Sequence, residues 1–215
     1  MEIVEEEVQT AGGSIQDCQE AREELYIRAL LPHQAEVRPG DQVVDGLALR
    51  TTGEEIEVRH YLLRRVCING AISAKGIWER SIPRIDEMAS PGLIAKASAR
   101  LRAAIRAGLG GQQFDTAIAS MRASQLKPAD MAVFRRWAET CLPRQRLTEL
   151  QASISRRFAQ AGDRTLFGLI NAVTSVARDE GAPEVRWRLE ELAGVVLSSV
   201  NRRKPTPAQH ARQTA

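Results

Sequence analysis

The chain has few cysteines and few aromatic residues. Its three cysteines, at positions 18, 67 and 141 of 215, form no CxxC pair. An odd number of separated thiols is not a disulfide framework, which indicates a reducing compartment and therefore the cytoplasm. Only nine residues are Phe, Trp or Tyr, so the hydrophobic core must be mostly aliphatic.

Long apolar runs and familiar catalytic motifs are also missing. The longest uncharged apolar stretch, residues 166–177, is too short and too polar to span a bilayer core of roughly 30 Å. The opening residues, MEIVEEEVQT, contain neither the basic nor the apolar region of a signal peptide. No GxxxxGK[ST], GxGxxG or GxSxG run occurs. Because the sequence shows neither a membrane-spanning stretch nor the features of a signal peptide, we expect no membrane partner.

A metal site has little support in the sequence. Glu55 and Glu57 share one face of a predicted strand, but His60 has the opposite parity. No HxxxH pair or acidic pair stands at ligand spacing, and His33 is isolated in the sequence. We expect neither a metal nor a cofactor.

Charge is distributed very unevenly along the chain. Residues 1–57 contain 14 acidic residues and 4 arginines, a net charge of −10, whereas the remainder contains 13 acidic and 26 basic residues, a net charge of +13. The basic part could bind a polyanion such as nucleic acid. Alternatively, the acidic segment folds back onto the basic helices and the two neutralise each other.

Hydrophobic alternation predicts strands in the first third of the chain. We predict strands at residues 3–14, 24–31, 42–50 and 55–61, and leave residues 15–23 open between strand and helical turn. Residues 61–66 have the period of a short helix that Asn69-Gly70 would end, although a continued strand is compatible as well. Residues 72–85 look irregular.

Six helices are predicted after residue 90. Ser90-Pro91 is an N-cap followed by proline at the first helical position, and apolar residues then recur at helical spacing. Further helices are expected at 114–121, 128–143, 147–162, from Asp163 and from Pro183. The predicted fold is α+β: a small antiparallel sheet followed by a bundle of about six helices, in one domain over residues 1–201. Residues 202–215 are expected to form a disordered basic tail.

Several separated runs resemble one protein family. They are TAGGS at 10–14, GDQVVDGLALRTTGEE at 40–55, LLRRVCINGAI at 62–72, NAVTSVARD at 171–179 and RLEELAG at 188–194. In this order they resemble the phage/plasmid-like protein family, domain of unknown function 932, whose marker is represented here by Arg64, Cys67, Asn69 and Gly70. The resemblance implies a phage, plasmid or integrated element as the setting, but no defined biochemical activity.

The chain departs from this family in two respects. Thr51-Thr52 stands where relatives often have Asn-Ser. Family members also commonly carry additional sequence before the TAGGS-like run, which would make this chain a shortened member.

One basic segment combines cations with an aromatic residue. Its candidate nucleic-acid-binding residues are Arg64, Arg65, Lys75, Trp78, Arg80 and Arg84. Cations can follow the phosphates of a single strand while an aromatic ring stacks on a base. The alternative is that Arg64 or Arg65 pairs with the acidic sheet and that Trp78 fills the core.

The predicted helices offer a second basic surface. Its arginines are Arg100, Arg102, Arg106, Arg122, Arg135, Arg136, Arg156 and Arg157. Guanidinium groups at this density could bind phosphates bidentately. They could equally serve only to keep an apolar bundle in solution.

A third set of residues is interpreted as structural. Cys67 is a candidate low-pKa thiol because arginines lie nearby, but a small buried cysteine is more often a core residue. Asn171 and Thr174 share one face of an otherwise apolar helix. Because a buried Asn needs partners, our hypothesis is that Asn171 hydrogen-bonds the segment from Cys67 to Gly70, and so fixes the helices to the sheet.

These observations favour a non-enzymatic nucleic-acid-binding accessory protein of a mobile element, with single-stranded DNA as the preferred partner. The alternative is a protein-interaction module, an inhibitor or assembly factor, that acts through the acidic sheet surface. The enzyme class stays open, and would require a pocket that combines Cys67 with a base.

Overall fold

The computed structural model describes residues 1–66, 68–74, 79–84, 89–109 and 111–201. Its strands are β1 (Ser14–Ala21), β2 (Glu24–Arg38), β3 (Asp41–Thr51), β4 (Glu55–Arg64), β5 (Asn69–Ile72) and β6 (Glu79–Pro83). Its α-helices are α1 (Glu2–Thr10), α2 (Pro91–Gly108), α3 (Gln112–Ser124), α4 (Met131–Cys141), α5 (Leu147–Ala161), α6 (Leu166–Arg178) and α7 (Pro183–Ser198). The α+β prediction is confirmed, and six α-helices follow the sheet within the described ranges.

All strand pairs in the sheet are antiparallel, in the order β1-β2-β3-β4-β5. Strand β6 also pairs with β4, along residues 55–59, whereas β5 pairs with residues 61–64 of the same strand. The long β4 therefore has a different partner at each end. The turn between β1 and β2 is formed by Arg22 and Glu23, both with positive φ, as in the type I′ turns that join hairpins.

The prediction of a strand at residues 3–14 was wrong, because residues 2–10 form α1. Val4, Glu7 and Val8 are its buried residues, and their spacing of three and four is that of one helical face. This face packs on α2, where Glu7 accepts hydrogen bonds from Arg102 and Arg106. Contacts with a distant helix therefore decide the conformation of a short segment whose own pattern is ambiguous.

Of the two alternatives for residues 61–66, the short helix was wrong and the continued strand is observed. Strand β4 continues to Arg64, since residues 61–64 have partners on both sides, in β3 and in β5. Asn69-Gly70 does not form the turn but begins β5, and the positive φ of 50° falls on Ile68. The segment predicted to be irregular, residues 72–85, contains β6.

Helices cover both faces of the sheet. On one face, Ile27, Leu49 and Val58 are neighbours across β2, β3 and β4 and pack in one cluster with residues of α1 and α2. On the opposite face, Tyr26 and Tyr61 pack with Trp187 of α7. A third cluster contains residues of every helix from α3 through α7, together with Val43 and Leu62 of the sheet. It is the core of the helical half.

Charged pairs fix α7 to the sheet. Glu190 accepts from Nε and Nη2 of Arg28, the shortest distance being 2.7 Å, and Glu191 accepts from Arg59. All four side chains are buried. Because a buried charge without its partner is very unfavourable, these pairs must form together when the helix docks.

Candidate functional site

Arg64, the first of the predicted nucleic-acid contacts, is buried and fully engaged. It is 8 % exposed. Its Nε donates to Oδ1 of Asp41 over 2.5 Å, and its Nη1 donates to Oδ1 of Asn171 over 2.9 Å. Arg64 therefore pairs with an acidic residue of the sheet, which is the alternative that the sequence left open. It is not part of the proposed nucleic-acid interface.

The other described residues of the predicted basic segment lie in or beside different strands: Arg65 follows β4, whereas Arg80 lies in β6 and Arg84 follows β6. Arg65, Arg80 and Arg84 are exposed, and Arg84 donates to the carbonyl oxygen of Thr52 over 3.2 Å. Three of the predicted residues lie outside the described part of the chain: Cys67, Lys75 and Trp78.

Some of the helical arginines form hydrogen bonds or ion pairs within the described part of the protein, and others form no ion pair there. Arg102 and Arg106 bind the carboxylate of Glu7. Arg122 donates to the carbonyl oxygen of Glu36, and Arg157 donates to Ser175 and Asp179. Four predicted arginines are exposed and have no ion-pair partner in the described ranges: Arg100, Arg135, Arg136 and Arg156.

Three of these free arginines belong to α4 and α5, which pack together. Nε2 of Gln151 donates to the carbonyl oxygen of Arg135 over 3.3 Å, which places the two helices side by side. Arg156 lies five residues beyond Gln151, about 7.5 Å along the helix axis and about 140° around it at 3.6 residues per turn. Arg144, in the 3₁₀ turn between these helices, is exposed as well. We call Arg135, Arg136, Arg144 and Arg156 the arginine surface.

Many acidic residues of the first 57 positions are neutralised within the protein. Glu7 pairs with Arg102 and Arg106, Asp17 with Arg186, and Asp41 with Arg64. The hydrogen bond from Arg106 lowers the pKa of the Glu7 carboxyl from 4.5 to about 2, against the opposing effect of burial. The folding back of the acidic segment is thus real, but none of the described acidic residues pairs with the arginine surface.

Asn171 has a different hydrogen-bond partner from the one that the sequence suggested. It accepts from Arg64, and Asn69 lies directly opposite Arg64 in the β4–β5 pair. All three side chains, together with Thr174, line a cavity of about 10 Å³. Helix α6 is therefore tied to the sheet by Arg64, beside Asn69.

A cluster of two histidines and one aspartate was missed by the sequence analysis. Oδ1 of Asp45 lies 2.6 Å from Nε2 of His60, and Oδ2 of Asp45 lies 3.3 Å from Nδ1 of His33. Oδ1 also accepts from the backbone N–H of Gly46 over 2.9 Å. Asp45 is 1 % exposed, so its carboxylate is held entirely by protein groups.

The register of the sheet explains how this cluster forms. Leu47 pairs with His60 and Asp45 pairs with Leu62, so Asp45 and His60 are diagonal neighbours on one face. His33 lies where β2 shifts register against β3, between Leu30 and Gln34. The sequence feature that could have revealed the cluster is a polar residue on the apolar face of each of two adjacent strands, Asp45 in β3 and His60 in β4.

His60 also lines an open cavity of about 480 Å³ between β4, β5, α3 and α7. Apolar walls are provided by Leu62, Ile72 and Leu197. Polar groups come from the first residues of α3, from the end of α7 and from the 3₁₀ turn after it, among them Gln112, Gln113, Thr116, Ser198 and Asn201. A volume of this size is within the range of small-molecule sites, roughly 300–1,000 Å³.

The two cysteines in the described part of the chain show no sign of activation. Partial desolvation and the neighbouring Asp17 raise the pKa of the Cys18 thiol, although the side chain is exposed. Burial also raises the pKa of the Cys141 thiol. A raised pKa disfavours the nucleophilic thiolate.

The described residues offer neither a metal-ligand group nor a helix able to cross a membrane. These include no group of three or more His, Cys, Asp or Glu side chains arranged to hold a metal ion. None of their helices has the length and apolar character needed to cross a membrane.

Comparison with protein-family models finds no match, and comparisons with curated proteins and with solved structures find none either. The structure defines an α+β protein whose antiparallel sheet is covered by helices. The resemblance of its sequence to the phage/plasmid-like family stays a prediction.

Proposed function

We propose that this protein is a non-enzymatic nucleic-acid-binding accessory protein of a phage, plasmid or integrated element. The observation that carries the proposal is the arginine surface of α4 and α5. Its cations have no acidic partner within the described residues, whereas Glu7, Asp17 and Asp41 are paired inside the protein. An unpaired basic face attracts a polyanion.

Arginine is suited to this task because its planar guanidinium group can donate two hydrogen bonds to one phosphate. Arg135 and Arg136 are adjacent on α4, and the contact between Gln151 and Arg135 brings α5 alongside. Cations on two packed helices can contact successive phosphates of one strand. The preference for single-stranded DNA follows from the sequence, where Trp78 lies within the basic segment 64–84 and could stack on a base.

Fluorescence anisotropy of a labelled single-stranded oligonucleotide and its duplex, at low and moderate salt, tests the proposal. The variant Arg135→Gln, Arg136→Gln should bind several-fold more weakly than the wild type. The control Lys96→Gln, Arg100→Gln removes the same charge from exposed positions of α2 and should bind as the wild type does.

Two other outcomes would redirect the proposal. A loss of affinity in Arg65→Gln, Arg84→Gln, with the α4 variant unaffected, would place the interface on the segment 64–84. If the wild type has no affinity at low salt, the proposal is wrong and the acidic surface should be tested for a protein partner.

A further inference from the structure

We propose that the cavity beside His60 binds an uncharged nucleobase or nucleoside, which donates a hydrogen bond to Nδ1 of His60. This site is separate from the arginine surface and does not depend on it. Four features support it: the hydrogen bond that orients His60, the free nitrogen of the same ring, the chemistry of the cavity lining, and the cavity volume.

Asp45 fixes the imidazole of His60 in one orientation. A carboxylate only accepts hydrogen bonds, so His60 must donate from Nε2 across the 2.6 Å contact. In the neutral ring this places the lone pair on Nδ1. Asp45 is itself held by His33 and by the N–H of Gly46, so the orientation of His60 is set before any ligand arrives.

Nδ1 of His60 is left free to act as an acceptor. Within the described ranges it has no hydrogen-bond partner, and the ring lines the cavity. A hydroxyl or N–H group of a ligand can supply the missing donor. The same carboxylate–imidazole arrangement orients histidines in many binding and catalytic sites.

The rest of the lining favours a neutral, planar ligand. Its described residues include no Asp, Glu, Lys or Arg, so none of them would neutralise the charge of an ionic ligand. Gln112, Gln113 and Asn201 carry carboxamides, which can pair with the donor and acceptor groups on the edge of a base. Leu62, Ile72 and Leu197 offer apolar surface for the face of a ring.

Two sources could supply this chemistry, a free nucleoside or an unstacked base of a bound single strand. The test is long-range ¹H–¹⁵N NMR of the histidine side chains, with the His60 signals assigned from a His60→Gln variant. Adenosine, cytidine, guanosine, uridine, glucose and a short single-stranded oligonucleotide are added separately. Before any addition, His60 should be the Nε2–H tautomer with an unprotonated Nδ1.

Binding should shift the Nδ1 signal of His60. A shift with a free nucleoside identifies the small molecule as the ligand, and a shift with the oligonucleotide alone identifies the base of a strand. If free nucleosides are the ligand, the variant Arg135→Gln, Arg136→Gln should still bind them as the wild type does.

A variant pair on α3 locates the ligand. Ala117 lines the cavity, so Ala117→Leu should fill part of it and weaken binding about tenfold or more, a loss of about 1.4 kcal/mol. Ala119→Leu adds the same side chain at an exposed position of the same helix and should bind as the wild type does. The proposal is overturned if Nδ1 carries the proton, if only glucose or no probe shifts His60, or if the two variants behave alike.

Discussion

Nη1 of Arg64 donates a hydrogen bond to Oδ1 of Asn171 over 2.9 Å, and so joins β4 to α6 across 107 positions of the sequence. The same guanidinium group donates to Asp41 at the start of β3. One buried side chain thus links two strands of the sheet to the helical half. Its position explains why an arginine in an apparently basic segment is not available to a ligand.

Removing either partner of this link should destabilise the fold. Asn171→Ala should lower the free energy of unfolding by about 1–3 kcal/mol, because Nη1 of Arg64 loses its acceptor. Arg64→Ala should cost about 3–5 kcal/mol, because it also leaves the Asp41 carboxylate with fewer partners in the core. Urea unfolding followed by circular dichroism measures both.

Arg65→Ala is the control for these variants. Arg65 is the next residue but is exposed, and its loss should change stability by no more than about 0.5 kcal/mol. Equal effects of Arg64→Ala and Arg65→Ala would show that the buried link contributes nothing.

Gly70 should tolerate no side chain. A Cβ at this position would overlap the phenol ring of Tyr61, which is itself completely buried. Gly70→Ala should therefore destabilise the protein by about 1–3 kcal/mol, the usual cost of overpacking a core. Gly53→Ala, at a turn where a Cβ meets nothing within 4 Å, is the matched control. Similar unfolding midpoints for the two variants would contradict this packing.

Stability should depend on pH through Glu7. The Arg106 hydrogen bond lowers its pKa in the folded state from 4.5 to about 2. A lowered folded-state pKa stabilises the protein above the unfolded value, and this contribution is lost as the pH falls from 4.5 towards 2. Glu7→Gln should therefore be less stable than the wild type at pH 7.

The difference between Glu7→Gln and the wild type should shrink steadily below pH 4.5, as measured by urea unfolding at several pH values. Glu5→Gln removes the same charge from an exposed position of α1. If its stability follows the same pH course as Glu7→Gln, the paired carboxylate of Glu7 is not the cause.

The helical half could be predicted from the sequence because its signals are local. Ser90-Pro91 marks the start of α2, which begins at Pro91, and the proline at 183 marks the start of α7. Where two capping residues stand close together, the observed start of the helix differs from the predicted one. Thr165 caps α6 instead of Asp163, because the Thr165 hydroxyl accepts from the N–H of Gly168. Asp163 instead accepts from Thr165.

The parts that were predicted wrongly depend on distant partners. Helix α1 is selected by the arginines of α2, almost 100 residues away, and β4 is extended past residue 60 by pairing on both sides. The cluster of His33, Asp45 and His60 requires the register of β3 against β4 and the irregularity in β2. None of these can be read from spacing along the chain, because each brings together residues with no local relation.

The most direct test of the proposed function is the salt dependence of single-stranded DNA binding. Removing one cation that contacts a phosphate should make the slope of log K against log salt shallower by about 0.7. Arg135→Gln, Arg136→Gln should therefore have a slope shallower than the wild type by about 1.4, whereas Lys96→Gln, Arg100→Gln should keep the wild-type slope. Equal slopes for all three proteins would contradict the assignment of binding to the arginine surface.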